Sequence, residues 1–401
     1  MTIEIHKLQH MRVISETAFG VDQTTPPATF TNFLSVPFLE GTASLSLTQT
    51  MLPVTTAQQY LDQIAEDILG PKAWTLSFQM HLAATGTAAD ASTAAVTSPL
   101  GILLKAIMGA QSLSEGTTYA SGGAQTGCVV NAGQGTRVTA GNAILFGTEA
   151  REIKTRSTDT IAFKQAMAAT LAAGTLYRSA TYSLIENPAE SLQFVIEGTE
   201  LQDRFVLMGG QGSFSMEFPF GGIPTVTFNI SGASWVNFTG SALAVASYTA
   251  TSQVVCMASE LTVPVNGTTT RVAIDAQTVG ITPNITYAPI KVLGGVQNIL
   301  RFRRQRSVPI ATAQLGLAYE NQDWFTGRSA TTAYAINLQI GTTAGSTVLV
   351  CLGTNQIVDV QRAEVEPQLA GQNVSFKARN DGDCGTASTE LERSALRIHL
   401  L

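Results

Sequence analysis

Charge is scarce in this chain. Asp, Glu, Lys and Arg supply 13% of its 401 residues, about half the ~25% usual for soluble domains, and Phe218 to Ser259 carries no charge at all. A surface that poor in charge suits a protein that buries much of it between subunits better than a free monomer. For the uncharged stretch itself, well-packed strands followed by a polar linker are the plainer account, and an extended interface is the other.

Histidine and cysteine are equally sparse, at four each. His6 and His10 stand near the start, His399 near the end, and His81 closes a patterned strand. Cys128, Cys256, Cys351 and Cys384 are far apart, with no C-x-x-C and no His at ligand spacing. Free, mostly buried thiols are therefore expected. H-E-x-x-H, G-x-S-x-G, G-x-x-x-x-G-K-[ST] and G-x-G-x-x-G are missing too. A triad needs a base beside a nucleophile, and the sequence offers no preferred pair, so no enzyme, cofactor or metal is expected.

Long apolar runs are also lacking, because Pro224, Asn229 and Asn237 interrupt the uncharged stretch and exclude a membrane span there. MTIEIHKLQHMRV has no apolar core of a secretory signal, which predicts assembly in the cytoplasm. N-x-S/T sequons begin at Asn229, Asn237, Asn266, Asn284 and Asn373, as so Thr-rich a composition produces without glycosylation.

What the chain has in abundance is strand alternation. Phe214, Met216 and Phe218 alternate with Ser213, Ser215 and Glu217, and after a Pro/Gly turn Val226, Phe228 and Ile230 alternate with Thr225, Thr227 and Asn229. Period-two patterning of this kind marks half-buried strands. A looser copy lies near the C-terminus, where Thr347 to Glu366 is followed by Val374 and Phe376 alternating with Asn373 and Ser375. Upstream, RVISETAFGV at Arg12 to Val21 has an echo in RVAIDAQTVGI at Arg271 to Ile281. Trp74, Leu76, Phe78 and Met80 form a strand face echoed by Leu315, Leu317 and Tyr319, and Phe194 to Glu197 and Ile336 to Ile340 supply strands leading into the paired units. One helix is predicted from N-cap Ser98 and Pro99 through Met108, stopped by Gly109, with a shorter counterpart near Asn321 to Gly327. The shared element order predicts a tandem duplication.

In ETAFGV at Glu16 to Val21, SPLGILLKAIMG at Ser98 to Gly109 and MGGQGSFSMEFPFGGIPTVTFNISGASW at Met208 to Trp235, the chain resembles the tail tube proteins of long-tailed bacteriophages. The resemblance covers most of the first 240 residues and is carried by the order of diffuse patterns. It implies a mainly β fold: two tandem tail-tube-type β-sandwich or half-barrel units, each with a short helix, and a small inserted β-barrel. The units are placed at 1–124 plus 183–250 and at 251–401, with the insert at 125–182. It also implies a structural virion protein whose homotrimeric rings, each with six similar units, stack into a tube for DNA ejection. Its partners are then other copies of itself, tape measure protein and double-stranded DNA in the lumen, and tail terminator and distal tail proteins. A β-sandwich adhesin or carbohydrate-binding module is the alternative, with Trp74, Trp235 and Trp324 as its possible aromatic platforms.

Three segments bear on interfaces. The insert carries a mixed-charge ribbon of Glu149, Arg151, Glu152, Lys154 and Arg156, read either as an outward decoration or as an ordinary solvated strand with cross-strand ion pairs. A helix is expected over Thr56 to Leu69, ended by Gly70-Pro71, with Asp62, Glu66 and Asp67 facing either a neighbour or solvent. RFRRQR is the one dense basic run, and as a strand it puts Arg301 and Arg303 on one face and Arg304 and Arg306 on the other. A lumen position would make these groups grip phosphate, a subunit or ring interface would pair them with carboxylates, and a solvated strand end is the plain reading.

Overall fold

The computed structural model describes the chain except residues 1, 6–7, 24–31, 53–67, 84–97, 116, 120–123, 171–173, 178, 186–189, 199–203, 220, 239–254, 257–258, 275, 298, 306–308, 316–323, 367–368 and 380–392. The described residues are mainly β with two α-helices, neither long and apolar enough to cross a membrane.

Eight antiparallel strands follow one another across a curved sheet. Their spatial order is Ser44–Leu52, Ile68–His81, Thr225–Gly232, Arg204–Pro219, Ala276–Thr282, Ile310–Leu315, Leu369–Arg379 and Val348–Glu366. The first four and the last four are wired alike: in each group the third and fourth strands of the chain exchange places in space. The groups meet where Arg204–Pro219 pairs with Ala276–Thr282, from Met216↔Ile281 to Pro219↔Thr278.

The third strand of each group is long because it serves two sheet layers. Phe205 to Met208 pairs with Leu192–Gly198 on one side and Ser234–Asn237 on the other, before the strand turns into the curved sheet. Val348 to Leu352 lies likewise between Ala333–Ile340 and Leu396–Leu400. Gly209 sits at the first of these bends with φ +70°, where an added Cβ would meet the Phe19 ring at 2.9 Å. Only glycine fits there.

Alternation places one face of the curved sheet on the core. Phe78 stacks on Phe228 with centroids 5.3 Å apart, and Trp74 and Phe78 both meet Phe194 edge-on. In the second half Trp324 packs on Tyr334 and Phe376. Each such buried ring contributes roughly 1.5–3 kcal/mol. These residues belong to one continuous core that runs through both halves. Helix α1 (Pro99–Met108) covers part of it with Leu103, Leu104 and Ile107; Ser98 Oγ accepts from the Gly101 amide at 2.9 Å, and Gly109 ends the helix at φ 98°. Its shorter companion α2 spans Trp324–Ser329.

A separate six-stranded sheet runs in the order Thr117–Tyr119, Gly174–Tyr177, Ala143–Phe146, Glu149–Ser157, Thr160–Phe163, Gly127–Val129. A bridge between Tyr119 and Val130 joins its two ends, closing a small barrel around Ile144, Phe146, Ile153, Ile161 and Phe163. The barrel begins at Thr117, ahead of the expected 125–182. It leaves out Ser179–Leu184, which pairs with Gly109–Ser114 and Leu396–Leu400.

Two sequence expectations fail on pairing. Ile68, Leu69 and Gly70 are strand rather than helix end, because Met51↔Leu69 and Leu52↔Ile68 extend a hairpin; the rest of the expected helix lies outside the described residues. The echo between Arg12 to Val21 and Arg271 to Ile281 does not join equivalent strands. Leu8–Ser15 pairs with Leu192–Gly198, and the strand in the matching place of the second half is Ser259–Thr262, paired with Ala333–Ile340.

Candidate functional site

The face of the curved sheet turned away from the core is built from small neutral polar side chains. Ser44, Ser46, Thr75, Ser77, Asn229 and Ser231 line one hollow of it, and Ser215, Thr227, Thr278, Gln361, Asn373 and Ser375 line another across the join of the two groups. This pattern is the complement of the core pattern, since each strand alternates. Ser77 Oγ donates to Asn229 Oδ1 at 2.9 Å, so neighbours satisfy one another. Charges are few and of both signs: Glu217 and Asp359 line the second hollow, while Lys377 and Arg379 are exposed in alternation with buried Phe376 and Ala378. Such a face is wettable, and among the described residues it carries no dense cation array of the kind that holds nucleic acid by counterion release.

The two edges of the sheet differ. Ser44–Leu52 is covered over Leu45 to Thr48 by the strand Thr2–Ile5. At the other edge, no strand among the described residues pairs with the outer side of residues 357–366, where Val358 is 48% exposed and Gln361 and Arg362 are exposed. The equivalent edge of the first group is the one taken by Ala276–Thr282.

The basic run divides as strand geometry requires. It forms Ile299–Arg304, paired with Tyr287–Val296 in a two-stranded hairpin. Arg301 and Arg303 are exposed on one face. Arg304 turns inward, its Nη1 reaching the carbonyl oxygens of Ile185 and Met108, while Tyr287 Oη donates to Ile107 O at 2.9 Å. Tyr287 thus satisfies the Ile107 carbonyl at the end of α1, which the helix itself cannot, and Arg304 places a cation where that end favours one, beside the Met108 carbonyl that also accepts from the Ile185 amide at 2.9 Å. Phe302 meets Phe19 at 5.6 Å, so the hairpin of the second half lies against the first. Arg306 and the carboxylates Asp62, Glu66 and Asp67 lie outside the described residues.

The charged ribbon of the barrel is not a solvated strand throughout. Arg151 is 5% exposed and pairs with Glu149 at 2.9 Å and Glu260 at 3.6 Å. Glu152 is buried against the second half, held by Arg397 Nε at 2.5 Å and Lys164 Nζ at 3.2 Å. Beside it lie Cys351 and His399, a juxtaposition that sequence spacing gave no sign of. Leu349, Cys351 and Leu401 pack there on Ala143, Leu145 and Ala150 of the barrel.

Compared with known proteins, the chain matches no family model and no curated relative.

Proposed function

We propose that this chain is a self-assembling tube protein of the bacteriophage tail tube type. Three copies close a ring, rings stack into a tube, and double-stranded DNA passes through the lumen on its way into the host. The observation that carries this reading is the eight-stranded curved sheet, in which one four-strand wiring occurs twice, joined edge to edge, beneath a mostly small and polar face with few charges. An edge that one group satisfies within the chain is left open in the other among the described residues. A second copy that supplies the missing strand extends the sheet, and repetition closes it with no edge exposed.

The mechanism is then passive. Hydroxyl and amide groups of the polar face keep the lumen wet, and its sparse, mixed charge leaves DNA free to slide. Tape measure protein fills the same lumen before ejection, and terminator and distal tail proteins cap the stack. The adhesin reading has no comparable support: Trp74 and Trp324 are core residues, and Trp235 is half-buried beneath Lys72, whose Nζ lies 4.4 Å from its ring centre.

Negative-stain microscopy of the purified protein tests the proposal. Stacked rings with threefold symmetry are expected. Dispersed monomers under all assembly conditions would sink the tube, and six complete chains per ring would sink the trimer.

A further inference from the structure

Where the barrel meets the second half, three side chains far apart in sequence converge. Glu152 comes from Glu149–Ser157, Cys351 from Val348–Glu366 and His399 from Leu396–Leu400; all are buried, and their oxygen, sulfur and nitrogen ligand atoms lie within 4.8 Å of one another. Strand register builds the arrangement. Leu349 pairs with His399 and Cys351 with Arg397, so Cys351 and His399 share the face that the barrel covers.

The histidine is set up as a ligand. Its Nδ1 lies 2.9 Å from Thr181 Oγ1, while its Nε2 is buried without a hydrogen-bond partner. A hydrogen bond on one imidazole nitrogen fixes the ring and leaves the other for a metal. Burial, with Arg397 and Lys164 nearby, holds this imidazole well below its ordinary pKa, so it is neutral. A cleft of about 20 Å³, lined by Glu152, Lys164, Asn266, Thr268, Ala335 and Leu352 among others, reaches the carboxylate. That is space for one water or one ion.

We propose that Glu152, Cys351 and His399 bind one Zn²⁺, and that Lys164 is the resident cation the metal displaces. Oxygen, nitrogen and thiolate sulfur suit zinc, whose tetrahedral ligands stand roughly 3.5 Å apart, so the cluster draws in by about 1 Å. The cleft supplies water as the fourth ligand. Charge decides whether this is feasible, because two cations already attend Glu152. Lys164 is the one of them with access to water, its side chain 11% exposed against 0% for Arg397. As zinc enters, Lys164 swings out through the cleft and the thiol of Cys351 releases its proton to solvent. The buried group then carries the same net charge, one positive, before and after, and no uncompensated charge is added. The ion clips the barrel to the second half. None of this rests on the tube reading.

Full-length protein stripped with chelator, equilibrated with equimolar Zn²⁺ and dialysed should retain one zinc per chain. With Co²⁺ as probe it should show a thiolate-to-metal charge-transfer band. Cys351→Ser should abolish that band, and His399→Gln should weaken binding at least tenfold. Lys164→Met should tighten binding about tenfold, because it removes the competitor. Failure to retain zinc, zinc retained equally by the Cys351→Ser/His399→Gln double variant, or a Lys164→Met variant that binds no tighter overturns the proposal. If a ligand variant fails to fold, the Co²⁺ band and Lys164→Met decide alone.

Discussion

Glu16, in the ETAFGV segment, offers the sharpest test of how the bend between the two sheet layers is held. Its carboxylate is 5% exposed. Oε1 accepts from the Gly209 amide at 2.7 Å, and Oε2 accepts from the Gly20 amide at 2.8 Å and from Ser191 Oγ. Every contact is a donor, so Glu16→Gln, equal in size, must aim an NH₂ group at another N–H or hydroxyl. One orphaned buried donor costs about 1–3 kcal/mol. Glu16→Ala orphans the amide of buried Gly209 and the hydroxyl of buried Ser191, while half-buried Gly20 recovers partly with water, and relief of the carboxylate's own desolvation offsets part of the loss. A net cost of about 2–4 kcal/mol is expected, read as a lower urea midpoint at unchanged slope. The pH dependence has a definite sign. Burial raises the Glu16 pKa above its ordinary 4.5 despite the hydrogen bonds, so the folded state binds the proton more tightly than the unfolded one. This group's contribution therefore falls as pH rises from about 4.5 through the raised value. That component should vanish in Glu16→Gln. Equal urea midpoints for wild type and Glu16→Gln at pH 7 would refute the reasoning.

Four further outcomes follow from packing and pairing. Gly232→Ala places a Cβ about 2.0 Å from Trp74 Cε2, displacing a ring whose Nε1 donates to Met208 O at 3.0 Å; a loss of at least about 2–4 kcal/mol in urea unfolding is expected. Replacing residues 115–178 by a two-residue turn should close a hairpin, since Ser114 and Ser179 are cross-strand partners. The bared Leu349 and Leu401, with Arg397 deprived of Glu152, should nevertheless make this protein aggregate, and adding Arg397→Met, Leu349→Thr and Leu401→Ser should restore solubility, as size-exclusion chromatography would register. Arg304→Gln should destabilise the fold by about 1 kcal/mol in thermal unfolding by freeing the Ile185 carbonyl and withdrawing a cation from the end of α1. Arg301→Gln with Arg303→Gln should leave unfolding unchanged and reduce tube yield in microscopy, with the deficit relative to wild type shrinking at high salt, if these exposed guanidiniums meet carboxylates of a neighbouring copy.

Legibility in the sequence tracked the range of the interaction concerned. Local rules were enough for α1, because Ser98, Pro99 and Gly109 each satisfy a requirement of helix ends within one turn. They were enough for the alternation of Phe214 to Phe218 and Val226 to Ile230, which the pairing Phe214↔Phe228 turns into one core face and one polar face. They failed at Ile68 and Leu69, whose apolar spacing suits a helix stripe but whose state is decided by Met51 and Leu52 across a hairpin. They failed again at the Arg271 to Ile281 echo, where likeness of short segments carries no information about pairing partners. The polar face could be anticipated strand by strand, yet its continuity depends on Met216↔Ile281, a contact between halves that no periodicity encodes. Least legible was the seam. Glu152 read as one charge in a solvated ribbon, Cys351 as an isolated thiol and His399 as a residue near the chain end. Only the docking of the closed barrel onto Leu349, Cys351 and Leu401 brings them together. A charge-poor surface was the one global hint of such burial, because a chain with few charges can enclose several of them only where, as with Glu152 between Arg397 and Lys164, they compensate one another.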